Sequence, residues 1–286
     1  MGVVINTNIS SISAARSLAT TRADLERSME RLSSGKRING AKDDAAGMSV
    51  VTRMKAQISS LNQAVRNAND GISLVSTFDG AADEIEDILI RMRELATLAQ
   101  NGTFSPADTA NAELEFDALK SEIDRIQSKT KFNGSLDISG ASAAQTYSFQ
   151  VGFNGGDAVS IALGSLNAQA LKGTASATAI PGIASTTQAG SITDASATVT
   201  DIDAMLSNLN VHRATAGAVI NRLEHTVSNL MNVVQRTEEA RSRIEDADFA
   251  AESAGMARAN VLVQAGSAML AQANQSPQFV LALLRS

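Results

Sequence analysis

The chain has 286 residues and a formal net charge of −6, with no Cys, no Trp, one Tyr and three Pro. That length builds one large domain or two modest ones. The lack of Cys excludes disulfides, thiolate metal sites and cysteine nucleophiles, and the mild negative charge argues against a nucleic-acid partner, which needs a clustered basic surface. Few rings and few prolines suit long helices packed through small and aliphatic side chains.

The first segment, Met1 to Asn8, has no basic stretch followed by an apolar one, so it does not read as an ordinary secretory signal. Ile5, Ile9, Ile12, Leu18, Leu25, Met29 and Leu32 then recur at helical spacing. The polar, glycine-containing stretch Ser33 to Gly40 separates this run from a much longer one. From Met54 the apolar positions step alternately by four and three through Ile58, Leu61, Val65, Ala68, Ile72 and Val75. The next slot, Asp79, is polar, with Phe78 beside it. The pattern resumes at Ala82, Ile85, Leu89, Met92, Ala96 and Ala99 after one extra step of three. Such a stammer overwinds a coiled coil locally without ending it. A helix over 44–101 would be roughly 85 Å long, more than a compact domain needs.

Ser105-Pro106-Ala107-Asp108 predicts a capped start for a shorter helix that runs through Leu114, Leu119, Ile123 and Ile126 to a turn at Asn133-Gly134. Tyr147, Phe149, Val151 and Phe153 alternate with polar residues and Gly152. Asn154-Gly155-Gly156-Asp157 turns the chain, and Val159, Ile161 and Leu163 alternate on the way back, which predicts a β-hairpin. Residues 173–200 are mostly Ala, Ser, Thr and Gly and read as a small surface excursion.

A second long stripe follows: Ile202, Leu206, Leu209, Ala216, Ile220, Leu223, Val227, Leu230 and Val234, failing only at Arg213. It has the period and length of the first, so the two predict an antiparallel pair, each burying the other's seam. Beyond Glu245-Asp246-Ala247-Asp248 comes a last helical run with Ala259, Val263, Leu270, Ala273, Val280, Leu281, Leu283 and Leu284. This uncharged tail is interrupted by Asn260, Gln264, Gln272, Asn274, Gln275 and Gln278, so membrane insertion is not expected.

The fold class expected is therefore mainly α: long antiparallel coiled-coil-like helices, a small β-hairpin region and a terminal two-helix layer. The expected organisation is a terminal layer of 1–43 with 246–286, a long-helix domain of 44–172 with 199–245, and an exposed excursion over 173–198. The terminal layer has too little core to stand alone, so its apolar faces need other molecules.

Several motifs carry a family resemblance. Leu32 to Asn39, Ala41 to Gly47 and Arg66 to Ser73 resemble the N-terminal signature of bacterial flagellins. Ala240 to Phe249, Gln264 to Ser267 and Leu270 to Gln275 resemble their C-terminal signature, and the match spans residues 3–135 and 200–285. The resemblance implies a structural subunit that polymerises into the extracellular flagellar filament for swimming motility. It also implies unfolded passage through the flagellar type III export apparatus, a C-terminus-binding export chaperone, and contacts with the flagellar cap and hook–filament junction proteins. A flagellin-related surface adhesin or glycan-binding protein, and a hook–filament junction protein, are the alternative readings.

Neither a catalytic set nor a cofactor is expected. Asp43 and Asp44 point about 100° apart on a helix and read as a turn or helix start. His212 and His225 fall on roughly opposite faces of one helix, which makes a shared metal improbable. The assembly residues expected are Ile5, Ile9, Ile12, Leu18, Leu25, Leu32, Val263, Leu270, Val280, Leu281 and Leu284, and Leu281→Asp should block polymerisation. The segment Leu89 to Leu95 resembles the region of flagellins recognised by Toll-like receptors. Leu89, Arg91, Glu94, Leu95 and Glu115 make up that face, although Ile90 and Leu98 stand where recognised members have glutamines. A polymer-contact face is the plainer use of the same residues. The Ser/Thr-rich stretch Thr174 to Thr200 could carry O-linked glycans or be a bare loop.

Overall fold

The computed structural model describes residues 7–134, 136–137, 145–172, 182 and 188–284. Helix α1 spans Ile9–Ser34, α2 Ala45–Ala99 and α3 Pro106–Lys129. Two short antiparallel ribbons follow, β1 (Lys131–Phe132) with β2 (Leu136–Asp137) and β3 (Gln145–Gln150) with β4 (Ala158–Leu163). A single turn of helix, α4 (Ala168–Leu171), precedes the long α5 (Gln188–Glu245) and α6 (Phe249–Leu284). The chain divides into two compact units, Met1–Ile58 with Gln235–Ser286, and Ser59–Val234. The first unit therefore holds both chain ends together with the start of α2 and the end of α5.

Local chemistry sets the helix ends. The Asn8 side chain accepts from the Ser11 amide at 3.1 Å to open α1, and Gly35, at φ 69°, closes it in the left-handed conformation that Cβ-bearing residues avoid. Asp44 opens α2 by accepting from the Gly47 amide at 2.8 Å. Its neighbour Asp43 accepts from the Asn39 and Gly40 amides at 3.1 and 3.2 Å, and these bonds hold its carboxyl below the usual range. Ser105 and Asp108 form a reciprocal capping box with Pro106 at the first position of α3.

In the second unit the seam of α2 is buried along Ala68, Val75, Phe78, Ala82, Ile85, Leu89, Met92 and Ala96. It shares one core with Phe116 and Ile123 of α3, Val159, Ile161 and Leu163 of β4, and Ile202, Leu209, Ala216 and Leu223 of α5. The hairpin register sets Tyr147 opposite Ile161 and Phe149 opposite Val159. Strand β3 stops at Gln150, so Phe153 does not join the alternation and lies exposed in the turn. Helix α5 reaches back to Gln188, into the stretch expected to be an excursion. Ala195, Thr198 and Ile202 are all buried there and extend the same four-and-three spacing. Residues 173–181 and 183–187 of that stretch, with most of the glycan candidates, lie outside the described residues.

Each stripe had one polar failure, and the two failures meet. The Arg213 guanidinium lies 3.1 Å from Asp79 and 2.9 Å from Asp83, and it also bonds Glu86. Hydrogen bonds to Asp79 and then Glu86 hold the guanidinium above its ordinary range. Two breaks that would each weaken a seam thus become one ionic contact. Arg213→Leu should destabilise the protein by about 1–2 kcal/mol, because three carboxylates lose their counter-charge in a partly screened site. The Asp79→Leu/Arg213→Leu pair should recover part of that loss, read from a double-mutant cycle in urea.

Candidate assembly surface

The first unit places α1 against α6 in antiparallel sense. At one end Asn8 Nδ2 donates to the Ala273 carbonyl at 2.8 Å and Ser11 Oγ to Asn274 Oδ1 at 2.6 Å. At the other, Ser28 Oγ and Arg31 Nη1 donate to the two Glu252 oxygens at 3.0 and 2.9 Å. Between them the helices approach closely at Gly266, where an added Cβ would stand 3.2 Å from Leu18 Cδ1. The apolar core made by this contact is thin. On α1 only Leu18, at 8 % exposure, is buried, and among the described side chains of α6 only Ala259. Leu25, Leu32, Val263 and Leu270 are half-buried.

Apolar side chains of the same pair face outward. Ile9 is 69 % exposed, Met269 64 % and Leu262 50 %, and Ile12 and Val261 are exposed as well. Ile9, Leu18, Leu262 and Met269, with the hydroxyl residues Ser10, Ser13, Ser17 and Thr21 between them, line an open groove of about 650 Å³. Of the expected assembly residues, Ile9 and Leu18 line the groove and Ile12 lies exposed outside it. Ile5 and the side chains of Val280, Leu281 and Leu284 lie outside the described residues. Leu262 and Met269 were missed because the stripe was traced through Val263 and Leu270, each one residue further on. The runs Val261-Leu262-Val263 and Met269-Leu270 were the available signal, since a helix apolar on more than one face needs cover on more than one.

The two polar joints of this unit are tied to each other, which no local spacing foretold. Lys36 and Asp246 form an antiparallel bridge, Arg37 N donates to the Glu245 carbonyl at 2.7 Å, and Ala247 N to the Gly35 carbonyl at 3.0 Å. The Glu245 side chain is 5 % exposed and meets Lys55 Nζ at 2.7 Å and Lys36 Nζ at 3.1 Å. Burial pushes its carboxyl up, but the hydrogen bonds from Lys55 and then Lys36 outweigh burial and leave it below its usual value. A carboxyl lowered on folding stabilises the fold above its unfolded pKa, about 4.3, and that stability fades as pH falls through the folded value. The wild type should therefore melt above Glu245→Gln at neutral pH. The gap should narrow as the pH falls below that unfolded value, in melting scans against pH.

The second expected face is smaller in the structure than in the sequence. Leu89 and Leu95 are buried in the core of the second unit, because they fall on the inward side of α2. Arg91, Glu94 and Glu115 remain exposed, with Arg91 bonded to Glu115 at 2.8 Å and to Glu94 at 2.9 Å. Ile90, Leu98 and Leu114 are exposed apolar residues. Among the described residues no group of three or more His, Asp or Glu is placed to hold a metal, and no helix is long and apolar enough to cross a membrane. His212 is half-buried beside Gly164, and that burial lowers its pKa.

The described chain is mainly helical, and its paired terminal helices leave apolar side chains uncovered, the mark of a surface that packs against other molecules. The chain matches the bacterial flagellin N-terminal helical region over residues 5–143 and the bacterial flagellin C-terminal helical region over residues 199–284. It is 42 % identical to a flagellin of Halalkalibacterium halodurans across 99 % of this chain and 100 % of that one. It is 37 % identical to the flagellar filament 33 kDa core protein of Treponema phagedenis, again across 99 % and 100 %. A flagellin of Bacillus subtilis is 38 % identical across 98 % of this chain and 99 % of its own. The chain belongs to the bacterial flagellin family and is a structural subunit of the extracellular flagellar filament. The adhesin and junction-protein readings are not favoured by these likenesses.

Proposed function

We propose that subunits join through the α1–α6 pair, and that burial of its uncovered apolar faces drives polymerisation. One observation carries the reading: the pair buries only Leu18 and Ala259 among its described apolar side chains, yet Ile9, Ile12, Val261, Leu262 and Met269 stand exposed on it. Moving such side chains from water into a subunit contact stabilises by about 25 cal/mol per Å² of apolar area. Repeated along a filament, that gain offsets the ordering of the chain ends. On this reading residues 1–43 with 246–286 form the assembling terminal layer, 44–172 with 199–245 a long-helix domain, and 173–198 a small excursion. Leu25, Leu32, Val263 and Leu270, half-buried on the same two helices, are proposed to complete the contact, together with Ile5, Val280, Leu281 and Leu284.

The wider partner set implied by the resemblance is proposed with it: flagellar cap, hook–filament junction proteins, type III export apparatus and a C-terminus-binding export chaperone. A purely structural role without enzymatic activity fits the same reading. Arg91, Glu94 and Glu115 are offered as a second polymer contact rather than a receptor site. Electron microscopy of purified protein after seeding tests the proposal. Long filaments are expected, and a stable monomer that never elongates a seed would overturn it.

A further inference from the structure

Nine methionines are present and no cysteine, so the thioethers have no thiol to compete with for an oxidant. The methionines divide by environment. Met92 and Met205 are fully buried in the core of the second unit. Met29, Met48, Met231 and Met269 are exposed, and Met269 is the most exposed of them at 64 %. Only Met269 of these four lines the groove beside Leu262 and Ile9. A flexible thioether fills such a groove as well as Leu does. Its sulfoxide is polar and chiral, and unsuited to a face that must be dried.

We propose that Met269 is a peroxide-sensitive modification site, whose oxidation in the free subunit disables the surface used for assembly. In the reaction a hydroperoxide transfers one oxygen to the Met269 Sδ. Sulfur is oxidised by two electrons, the peroxide O–O bond breaks, the S–O bond forms, and water leaves when the oxidant is hydrogen peroxide. The consequence for assembly rests on the function proposed above, whereas the order of oxidation does not. Seated in a subunit contact, the sulfoxide oxygen would lose its water beside Ile9 and Leu262. The Ser10, Ser13, Ser17 and Thr21 hydroxyls also line the groove, so the loss is the desolvation and altered shape of the thioether less what a hydroxyl gives back. Reduction by a methionine sulfoxide reductase would reverse the change.

The test treats the full-length monomer with hydrogen peroxide, maps the added oxygen by peptide mass spectrometry, and then measures seeded filament growth. Met269 should oxidise at least about tenfold faster than Met92 and Met205, in keeping with their burial. Growth of the oxidised wild type should fall by about tenfold, and sulfoxide reductase should restore it as the Met269 oxygen is lost. Each variant is scored against its own untreated sample. Met269→Leu should then keep most of its growth after peroxide, while Met231→Leu, altered at an exposed methionine outside the groove, should lose it as the wild type does. Equal oxidation of Met269 and the buried methionines would overturn the site. Undiminished growth of the oxidised wild type, or equal losses in Met269→Leu and the wild type, would overturn its consequence. Failure of the untreated protein to grow filaments would instead count against the assembly reading and leave the oxidation order to judge the site.

Discussion

Leu262→Asp is expected to abolish filament growth while leaving the subunit folded. Leu262 is half exposed in the groove, so a carboxylate there stays hydrated in the free subunit. Asp lowers helix propensity by only about 0.5 kcal/mol, and α6 keeps its partner α1 through the bonds at Asn8, Ser11, Ser28 and Arg31. In a subunit contact the same carboxylate would be buried without a counter-ion, a penalty of several kcal/mol. Seeded growth, followed by sedimentation, should therefore fall by about a hundredfold or more. Circular dichroism of the monomer should be unchanged. Phe153→Asp is the matched control, since Phe153 is also apolar and exposed but sits in the hairpin turn. It should change growth by no more than about twofold. Equal losses in the two variants would mean that the groove has no special place in assembly.

The largest loss of stability is expected at Phe78. This ring is fully buried in the core of the second unit, next to the polar slot at Asp79. Truncation to Ala removes the ring's transfer free energy and leaves a cavity that long helices, fixed along their length, fill poorly. Phe78→Ala should destabilise by about 3–5 kcal/mol, and the melting temperature should drop by about 10 °C for a unit of this size. Leu114→Ala makes the useful contrast: Leu114 is 72 % exposed on α3 and its truncation should stay within about 0.5 kcal/mol. A small shift at Phe78 would show that the α2 seam contributes less than its burial implies.

How far the sequence could be read depended on where each residue finds its partner. The seams of α2 and α5 were legible because a helix buried along one stripe repeats its apolar residues at one period. The hairpin was legible from period-two alternation, and the pairs Tyr147–Ile161 and Phe149–Val159 match it. The start of α5 was hidden because Ala195 and Thr198 are small and resemble loop composition, although both are buried. Helix α6 concealed its groove because apolar residues on several sides blur the stripe. The Glu245 cluster was invisible for another reason: Lys36 and Lys55 are about two hundred residues away, and no local pattern links them. The Arg91 segment was read as a contiguous motif, while the helix turns Leu89 and Leu95 inward and leaves Arg91 and Glu94 outside.

Amide hydrogen exchange, compared between free subunit and filament, tests the central claim most directly. In the free subunit the amides of α1 and α6 should exchange far faster than those of α2 around Phe78 and Leu89, because their shared core is so thin. On assembly, protection should rise mainly in α1 and α6. Terminal helices already as protected as the α2 core in the free subunit, and unchanged in the filament, would contradict the account.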